Sequence, residues 1–477
     1  MKTFLKKILV LLGLTAFVQY SPSQTFNVLY TFTNGADGKN PANGVVLSSN
    51  GVLYGTTDSG GLKGAGTLWS INTNGMGFTI LGSNGLSSLI VSPPFIYGIY
   101  NTTIYSLTTN GTPVTNFDVS PLITPAAITL VGNTLYGVGY TNNYVGVLFS
   151  VGTNGSNFNA IYNFGTNDGY FPDNLIVSDG TVYISTANGP APNFGQGSIF
   201  SVSTNGSNHT IIVEFTNTPS GNPCSGTYGP RPAICLLSSN TLYGVWETEL
   251  CSAQNNPVTD GAVFSISTTG TNFEFLHAFD GITGSDPTAS LALSSNIVYG
   301  TALTSGSPSF GGGGGILFSV NPDGSDYQTL YTFPGSVDNP MGPIAVSGNT
   351  IYGTAGGGEG YGAIWSFTLL PPPILSITLA KTNQVVLSWL TNYQNFVLQS
   401  TTNLIDPDWT TVTNIPVIVT NYYDVTDAIS FNFVTNDSTI GGGGSTNGPG
   451  MPPGSGATNS VPFSSATTFF RLYSTNY

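Results

Sequence analysis

Short stretches of alternating apolar and polar side chains run along most of this chain, and between residues 24 and 370 they recur as one phrase seven times. Each copy has an aliphatic-Tyr-Gly triplet, a loop, and a strand-length stretch that reads Gly, any residue, aliphatic, aromatic, Ser. The tyrosines of the triplets are Tyr54, Tyr97, Tyr136, Tyr183, Tyr243, Tyr299 and Tyr352. A repeat of about 40 to 60 residues is typical of solenoids and propellers. The pattern therefore predicts an all-β repeat architecture.

Four strands are predicted in each unit, here called A to D. In the first unit they are Asn43–Ser49, Gly51–Thr57, Gly66–Asn72 and Phe78–Leu81, each rich in β-branched or aromatic residues. A four-stranded meander cannot bury both faces alone, and radial stacking about an axis solves this problem. Seven units predict a seven-bladed β-propeller over residues 24–370.

The two ends of the repeat region predict how the ring closes. The last unit predicts strands A to C between residues 343 and 367, but it runs into Leu369–Pro373 where strand D should be. The stretch Phe26–Phe32 closely matches the D strand of Tyr327–Phe333. We expect this N-terminal strand to complete blade 7 and cover its open edge. An open β-solenoid is the alternative, and the irregular spacing of the repeats favours blades over it.

Turn sequences also recur from unit to unit. Asn-Gly pairs follow strand C in Thr73-Asn74-Gly75, Thr109-Asn110-Gly111, Thr153-Asn154-Gly155 and Thr204-Asn205-Gly206. They predict two-residue hairpins in which both central residues have positive φ. Some of these pairs also match a glycosylation acceptor, Asn-Gly-Ser or Asn-Gly-Thr, which the hairpin requirement explains more simply.

An Asp-Gly pair recurs in the loops from strand D to the next strand A, at Asp37-Gly38, Asp168-Gly169 and Asp280-Gly281. It predicts a turn in which the aspartate accepts hydrogen bonds from nearby backbone N–H groups. Calcium binding is the alternative, but the spacing of oxygen ligands in known calcium loops is absent. We therefore expect no metal.

Long, variable loops join D to A and B to C, and both kinds should lie on one face of the ring. Binding residues concentrate on variable loops of a rigid scaffold, so any ligand site is expected on that face. The binding candidates are Asp58, Glu247, Glu249 and Glu359. Together with Asp260 they could also supply paired carboxylates for glycoside hydrolysis.

The N-terminal sequence and the net charge limit where the protein is expected to act and which partners it is expected to bind. Residues 1–23 have the pattern of a signal peptide, with Lys2, Lys6 and Lys7 before an apolar run. The chain has a net charge of −14, and losing these lysines would leave about −17. Such a surface cannot neutralise phosphates, so neither nucleic acid nor an anionic membrane is an expected partner. We expect a secreted or cell-surface monomer without an integral membrane segment.

Three cysteines are present in this exported chain. Cys224 precedes a predicted strand A and Cys251 follows strand B of the same blade, so a disulfide between them would join two long loops. A bond between Cys224 and Cys235 is the alternative. The cysteines do not have the spacing of a zinc site.

No catalytic constellation emerges from the sequence. His209 and His277 are the only histidines, and both fall at D strands on the outer rim, where surface or packing roles are expected. A Gly-x-Ser-x-Gly elbow and a His-Glu-x-x-His motif are both absent from the sequence. The sequence thus favours a non-catalytic protein without a cofactor that binds a glycan or a protein. A carbohydrate-active enzyme is the alternative.

The repeat phrase resembles a known family. Leu53–Thr57, followed by Ser59-Gly60-Gly61 and by Gly66–Ile71, is similar to the GloVer tandem repeat of exported bacterial proteins. The resemblance covers residues 26 to 368, but Ile184 replaces the glycine that follows Tyr183. It implies a propeller-like array and export, and it implies no enzymatic activity.

A second β pattern follows the proline linker 371–373 and covers residues 374–477. The predicted strands are Ile374–Leu379, Gln384–Trp389, Asn395–Ser400, Trp409–Thr413, Val417–Tyr422 and Thr468–Tyr473. Phe396–Leu404, Trp409–Val412 and Phe469–Leu472 resemble the fibronectin-like C-terminal modules of exported proteins from Verrucomicrobia-type bacteria. The resemblance implies a small β-sandwich, in which the Gly-rich segment 441–460 forms a mobile loop.

Overall fold

The structure is a computed structural model that describes most of the repeat region and part of the C-terminal region. The described residues are 24–119, 123–141, 143–165, 167–188, 197–215, 231–247, 261–281, 283–288, 291–304, 314–357, 360–369, 376–381, 384–390, 396–401, 410–412, 417–419, 422–428 and 469–474. The predicted signal peptide and the Gly-rich segment 441–460 lie outside them.

Residues 24–369 form one unit of seven antiparallel sheets, which are the seven predicted blades. In the order A to D, blade 1 consists of β2 (Val45–Leu47), β3 (Val52–Thr57), β4 (Thr67–Asn72) and β5 (Thr79–Gly82). Blade 2 consists of β6 (Ser87–Ser92), β7 (Phe95–Tyr100), β8 (Thr103–Thr108) and β9 (Pro113–Asp118). Blade 3 consists of β10 (Thr124–Val131), β11 (Thr134–Tyr140), β12 (Gly146–Gly152) and β13 (Asn159–Asn163). Blade 4 consists of β14 (Tyr170–Ser178), β15 (Thr181–Asn188), β16 (Ser198–Ser203) and β17 (Thr210–Glu214). Blade 5 consists of β18 (Arg231–Ser238), β19 (Thr241–Glu247), β20 (Ala262–Ser267) and β21 (Glu274–Ala278).

Blade 6 differs because its strand A is divided into β22 (Ser285–Pro287) and β23 (Ala292–Ser294), which both pair with β24 (Ile297–Thr304). The blade continues with β25 (Ile316–Val320) and β26 (Gln328–Thr332). Blade 7 contains β27 (Pro340–Ser347), β28 (Thr350–Ala355), β29 (Ala363–Thr368) and, as its fourth strand, β1 (Thr25–Thr31).

The ring closes through the N-terminal strand, as predicted. β1 pairs antiparallel with β29, and the register runs from Thr25 opposite Thr368 to Thr31 opposite Ala363. β29 is therefore paired on both sides, and the edge that blade 7 would otherwise expose is covered. The seven-bladed β-propeller is thus confirmed.

The core lies in the seams, a term used here for the boundaries between neighbouring blades. A cluster of buried apolar side chains fills each seam, including the one between blades 7 and 1. The triplet tyrosine of strand B packs toward the next blade, as Tyr54 does in the seam of blades 1 and 2. The aromatic residue of strand C packs toward the preceding blade, as Trp69 does in the seam of blades 7 and 1. The repeated aromatics therefore join the blades.

A second glycine of the phrase, at the start of strand C, leaves room for a proline of the next blade. A Cβ placed on Gly362 would lie 2.2 Å from Cδ of Pro41, and one on Gly315 would lie 2.4 Å from Cδ of Pro340. These prolines lie at or near the start of the next strand A, so only glycine allows the two blades to approach this closely.

The two-residue hairpins predicted at the C–D turns are wrong, whereas the A–B turn of blade 4 does have this geometry. Asp179 and Gly180 both have positive φ, as a two-residue hairpin requires. At the C–D turn of blade 1 only Gly75 is left-handed, with φ 81°, and Asn72 N–H donates to the carbonyl of Met76. The loop there has three residues, and the glycine forms the bulge that follows an ordinary turn. The Asn74 side chain accepts the Met76 N–H at 3.0 Å, which explains the asparagine.

The second unit begins at residue 370, and its described strands form two antiparallel sheets. These are β30 (Ser376–Lys381), β31 (Gln384–Leu390), β35 (Tyr422–Ala428) and β34 (Val417–Val419) in one sheet, and β33 (Thr410–Thr411), β32 (Phe396–Thr401) and β36 (Phe469–Ser474) in the other. The stretch that the sequence predicted as one strand, Val417–Tyr422, contains β34 and the first residue of β35. No described residue belongs to a helix that could cross a bilayer.

Candidate binding surface on the long-loop face

One face of the propeller carries the D–A and B–C loops, and it is called the long-loop face below. Successive strands of each blade are antiparallel, so these two kinds of loop emerge on the same side of the ring. The A–B and C–D turns lie on the opposite side. The candidate residues from the sequence were all assigned to the long-loop face.

Asp58 follows β3 at the start of the B–C loop of blade 1. Its Oδ1 accepts a hydrogen bond of 2.8 Å from Asn43 Nδ2, and its Oδ2 accepts one of 3.3 Å from Asn40 Nδ2. The side chain as a whole is exposed, but the carboxylate is crowded by the loops, and this partial desolvation raises its pKa. The Asn43 hydrogen bond acts in the opposite direction. Asp58 therefore belongs to a polar network of amides.

The backbone ties this network to the seam of blades 7 and 1. Asn40 N–H donates to the carbonyl of Tyr361 at 2.8 Å, and Asp58 N–H donates to the carbonyl of Asn40 at 3.0 Å. Tyr361 lies in the B–C loop of blade 7 and is 45% exposed. This seam thus brings together the Asp58 carboxylate, the side-chain amides of Asn40 and Asn43, and the loop that carries the exposed Tyr361.

The remaining candidate acids are not brought into this network by any described contact. Glu247 is the last residue of β19, where its backbone lies opposite Arg231 of β18. Glu249, Asp260 and Glu359 lie outside the described residues. Asp58 is therefore the only sequence candidate whose side-chain contacts the structure describes.

The preferred disulfide, Cys224 to Cys251, also lies outside the described residues. Cys235 is on the innermost strand of blade 5, as predicted, and is half-buried against the apolar cluster of the seam between blades 5 and 6. Its Sγ donates to the carbonyl of Ala233 at 3.4 Å. These contacts are typical of a small packing residue.

The Asp-Gly loops are shaped as the sequence predicted. Asp37 is 6% exposed, and its carboxylate accepts the backbone N–H groups of Thr33 at 2.8 Å and Gly35 at 3.1 Å. It also accepts the hydroxyl of Tyr30 at 3.1 Å, and burial together with this carboxylate raises the pKa of Tyr30 to about 12. Across the described residues, no three His, Cys, Asp or Glu side chains are grouped as metal ligands would be.

Both histidines belong to aromatic stacks on the outer rim. His209 lies 5.3 Å from Tyr162 at an interplanar angle of 15°, and His277 lies 3.4 Å from Tyr327 at 5°. Tyr30 and Phe78 form the equivalent stack at the seam of blades 7 and 1. The histidines were expected to be surface or packing residues, and these stacks show the packing role.

His209 has one contact that its counterpart Phe78 cannot make. Its Nε2 lies 2.6 Å from Oδ1 of Asp168, which is 1% exposed and lies in the loop between blades 3 and 4. The same carboxylate accepts the Tyr162 hydroxyl and the Gly165 N–H, both at 2.7 Å. Asp168 thus joins the rims of two blades.

An aromatic cluster of three residues lies on the long-loop face at the seam of blades 3 and 4. Tyr140 ends β11, Tyr144 lies in the B–C loop of blade 3, and Phe171 is the second residue of β14 in blade 4. The ring centroids are 6.3 Å apart for Tyr140 and Tyr144, 5.6 Å for Tyr140 and Phe171, and 5.4 Å for Tyr144 and Phe171. Tyr144 is 57% exposed, so the cluster is open to solvent.

Two members of this aromatic cluster have a left-handed backbone. Tyr144 has φ 63° and Phe171 has φ 55°. A bulky side chain is a genuine outlier in this region, and holding one there costs about 1–3 kcal/mol. Such strain is found mainly where the surrounding structure or the function requires the residue.

The fold explains the left-handed turn at position 171 but not the phenylalanine. Three other D–A loops place a left-handed residue before the proline at strand A, namely Asn40, Asp286 and Asn339 with φ 59°, 53° and 54°. Asparagine and aspartate tolerate this conformation well. Phe171 occupies the same position in blade 4 at a higher conformational cost, which makes it a candidate functional residue.

Sequence reasoning missed the aromatic cluster because it searched the long loops for acids. The available signal was the residue before the proline of the D–A loop. That residue is Asn40 before Pro41 and Asn339 before Pro340, but Phe171 before Pro172.

Several solved structures resemble the chain at low identity. They include a catalytically inactive virginiamycin B lyase from Staphylococcus aureus with quinupristin, which is 16% identical, has a TM-score of 0.48, and matches 73% of this chain and 100% of its own. The WD40 domain of Pan2 from Neurospora crassa is 11% identical, with a TM-score of 0.48 and coverage of 72% and 96%. The extracellular domain of a hybrid two-component system from B. thetaiotaomicron is 12% identical, with a TM-score of 0.48 and coverage of 79% and 43%.

No curated protein sequence matches the chain. The family model of the Gloeobacter/Verrucomicrobia repeat does match it, over a narrower range than the resemblance of the phrase alone suggests. The C-terminal residues lie outside this match, so the fibronectin-like module stays a prediction. Residues 96–311, from strand B of blade 2 to the B–C loop of blade 6, match the Gloeobacter/Verrucomicrobia repeat.

Proposed function

We propose that this chain is an exported, non-catalytic binding protein whose long-loop face carries the ligand site. The observation that carries this proposal is the solvent-open cluster of Tyr140, Tyr144 and Phe171, in which two residues have a left-handed backbone. Rigid aromatic side chains give a large contact area at a low entropic cost, which makes them effective binding residues.

Other features support the proposal without carrying it. Buried apolar clusters fill the seven seams, so the loops are carried on a packed scaffold. Residues 1–23 have the pattern of a signal peptide, which favours export. The acidic charge of the chain disfavours a nucleic-acid partner. The C-terminal region would be an accessory fibronectin-like sandwich, and the protein would act as a monomer.

The experiment compares three versions of the signal-free protein, residues 24–477, on an array of immobilised glycans and extracellular proteins. The versions are the wild type, Phe171→Asn and Val114→Ala. Val114 is 50% exposed on the rim strand β9 and is the control. We expect Phe171→Asn to weaken binding about tenfold while it raises stability, because asparagine tolerates the left-handed backbone.

Opposite changes in binding and stability separate a ligand site from a packing site. A variant that loses both binding and stability would place Phe171 in the core, against the proposal. Release of reducing sugar from a bound glycan would contradict the non-catalytic part. Export is tested separately, by locating the full chain and a chain without residues 1–23 in the fractions of an expressing bacterium.

A further inference from the structure

Resting on the proposed function, we infer that the ligand is a neutral polysaccharide whose sugar rings stack on the aromatic cluster of Tyr140, Tyr144 and Phe171. The two tyrosine rings are nearly parallel, with an interplanar angle of 28°. Phe171 stands at 69° to Tyr140 and at 49° to Tyr144. The aromatic cluster therefore presents the exposed ring of Tyr144, with the ring of Phe171 set at an angle beside it.

This shape suits a pyranose ring. One face of such a ring presents C–H groups, and the π face of an aromatic side chain carries a partial negative charge that attracts them. The sugar hydroxyls point outward from the ring edge, where the solvent-exposed side of Tyr144 leaves them hydrated. Stacking on the exposed ring of Tyr144 with one edge against Phe171 buries apolar surface without burying hydroxyl groups, whose burial would be costly.

The size of the aromatic cluster favours a sugar over a protein. A stable protein interface buries about 800 Å² on each partner around an apolar centre. In the described part of the long-loop face, the exposed large apolar side chains are Leu62, Tyr144 and Tyr361. They lie on the B–C loops of three different blades, and the loops between them are rich in Gly, Asn, Ser and Thr. Among its described residues, this face therefore offers a ring-sized site and no broad apolar patch.

Charge favours a neutral sugar over an acidic one. The whole chain has 22 acidic residues and only 8 lysines and arginines. Its field repels a polymer of uronic acids or sulfated sugars. Attraction of a basic polymer would be non-specific and would weaken with salt, because exposed charges are screened beyond about 10 Å at 0.1 M ionic strength. Stacking on aromatic rings does not depend on salt in this way.

The test is native gel electrophoresis of the signal-free protein through gels that contain one polysaccharide each. The neutral probes are hydroxyethyl cellulose, xyloglucan, mixed-linkage β-glucan, galactomannan and dextran, and the acidic probes are alginate and polygalacturonate. Each gel compares the wild type with Tyr144→Ala and Tyr361→Ala. Tyr361 is the matched control, because it is also an exposed tyrosine on the long-loop face but lies outside the aromatic cluster.

We expect at least one neutral polysaccharide to retard the wild type, equally at about 0.05 and about 0.5 M NaCl. Tyr144→Ala should weaken this retardation about tenfold, whereas Tyr361→Ala should leave it unchanged. Retardation by the acidic polymers alone, or retardation by a neutral polymer that Tyr144→Ala does not weaken, would overturn the inference. No retardation by any neutral probe would also overturn it.

The two proposals fail differently. If neutral polysaccharides do not bind but the array shows a protein ligand that Phe171→Asn weakens, the glycan inference is wrong and the long-loop face remains the ligand site. If glycans bind equally well to the wild type and to Tyr144→Ala and Phe171→Asn, both the site and the inference are wrong.

Discussion

Gly353 and Trp365 lie directly opposite each other in the register of β28 and β29, and a Cβ placed on Gly353 would lie only 2.2 Å from Cζ2 of the indole ring. The equivalent Cβ would lie 2.2–2.5 Å from the ring in four other blades, in the pairs Gly55–Trp69, Gly137–Phe149, Gly244–Phe264 and Gly300–Phe318. The glycine of the triplet thus makes room for the ring of strand C. That ring is what packs across the seam.

We expect Gly353→Ala to lower the free energy of unfolding by about 1–3 kcal/mol, because the new methyl group must displace a buried indole. Gly335→Ala is the matched control, since no heavy atom lies within 4 Å of its Cβ position. Urea denaturation of the two variants and the wild type measures the difference. Equal losses in both variants would show that the Gly353–Trp365 contact is not the cause.

Trp365→Phe is expected to lower the free energy of unfolding by only about 1–2 kcal/mol, because the smaller phenyl ring leaves a small cavity but keeps most of the ring packing. Four blades already carry phenylalanine at this position: Phe149, Phe200, Phe264 and Phe318. The buried Trp365 Nε1 also has no hydrogen-bond partner in the described structure, so the exchange removes an unsatisfied donor.

Trp365→Ala, which leaves a cavity, should lower the free energy of unfolding by about 3–5 kcal/mol. The same denaturation series measures both variants. A loss of stability from Trp365→Phe as large as that from Trp365→Ala would contradict the expectation that phenylalanine can replace tryptophan at this position of strand C.

The blades could be predicted from sequence because each is encoded by a local pattern. The alternation, the Tyr-Gly triplet and the turn residues all recur within one unit, and the match of 26–32 to 327–333 predicts the closing strand. The C–D turn type was harder, because Asn-Gly is compatible both with a two-residue hairpin and with a three-residue hairpin that has a glycine bulge. Only the observed φ angles, with Gly75 left-handed and Asn74 not, separate the two.

The aromatic cluster could not be predicted in the same way. Tyr140 and Phe171 are 31 positions apart in sequence and belong to different blades, and only the ring places them 5.6 Å apart. The left-handed backbone of Phe171 also depends on the turn into strand A. A sequence can show an unusual residue before a proline, but the strain becomes visible only in three dimensions.

The closing strand should be held mainly by Phe26. Its ring stacks on Tyr331 at 4.2 Å and 9°, and it lies 6.2 Å from the ring of Trp365. Because the side chain is half-buried, we expect Phe26→Ala to lower the free energy of unfolding by about 2 kcal/mol.

Val28→Ala is the control on the same strand, since Val28 is 44% exposed, and it should change stability by less than about 0.5 kcal/mol. Hydrogen exchange of β1 and β29 checks the mechanism. Phe26→Ala should speed exchange in these two strands before it does so in blades 2 to 4. Uniform acceleration around the ring would mean that blade 7 does not open locally.

The rim stack of His277 predicts a dependence of stability on pH. Burial lowers the pKa of His277 from 6.5 to about 4, and nearby Asp280 opposes this shift. As the pH falls from about 6.5 to about 4, the unfolded chain therefore takes up a proton that the folded chain does not, and stability is lost across this window. The neighbouring Tyr327, whose pKa is raised to about 12, stays neutral throughout.

His277→Phe should preserve the stack on Tyr327, as Phe78 does on Tyr30, while it removes the titrating group. Because His277 is partly exposed, the stability difference between variant and wild type should shift in favour of the variant by only about 1–2 kcal/mol between pH 7 and pH 4. The lost hydrogen bond to Thr283, 3.1 Å from Nε2, adds a constant offset at the higher pH values, where His277 is neutral. Urea midpoints at several pH values measure the slope. Parallel curves for the two proteins would show that His277 is not buried in its neutral form, whatever the size of the offset.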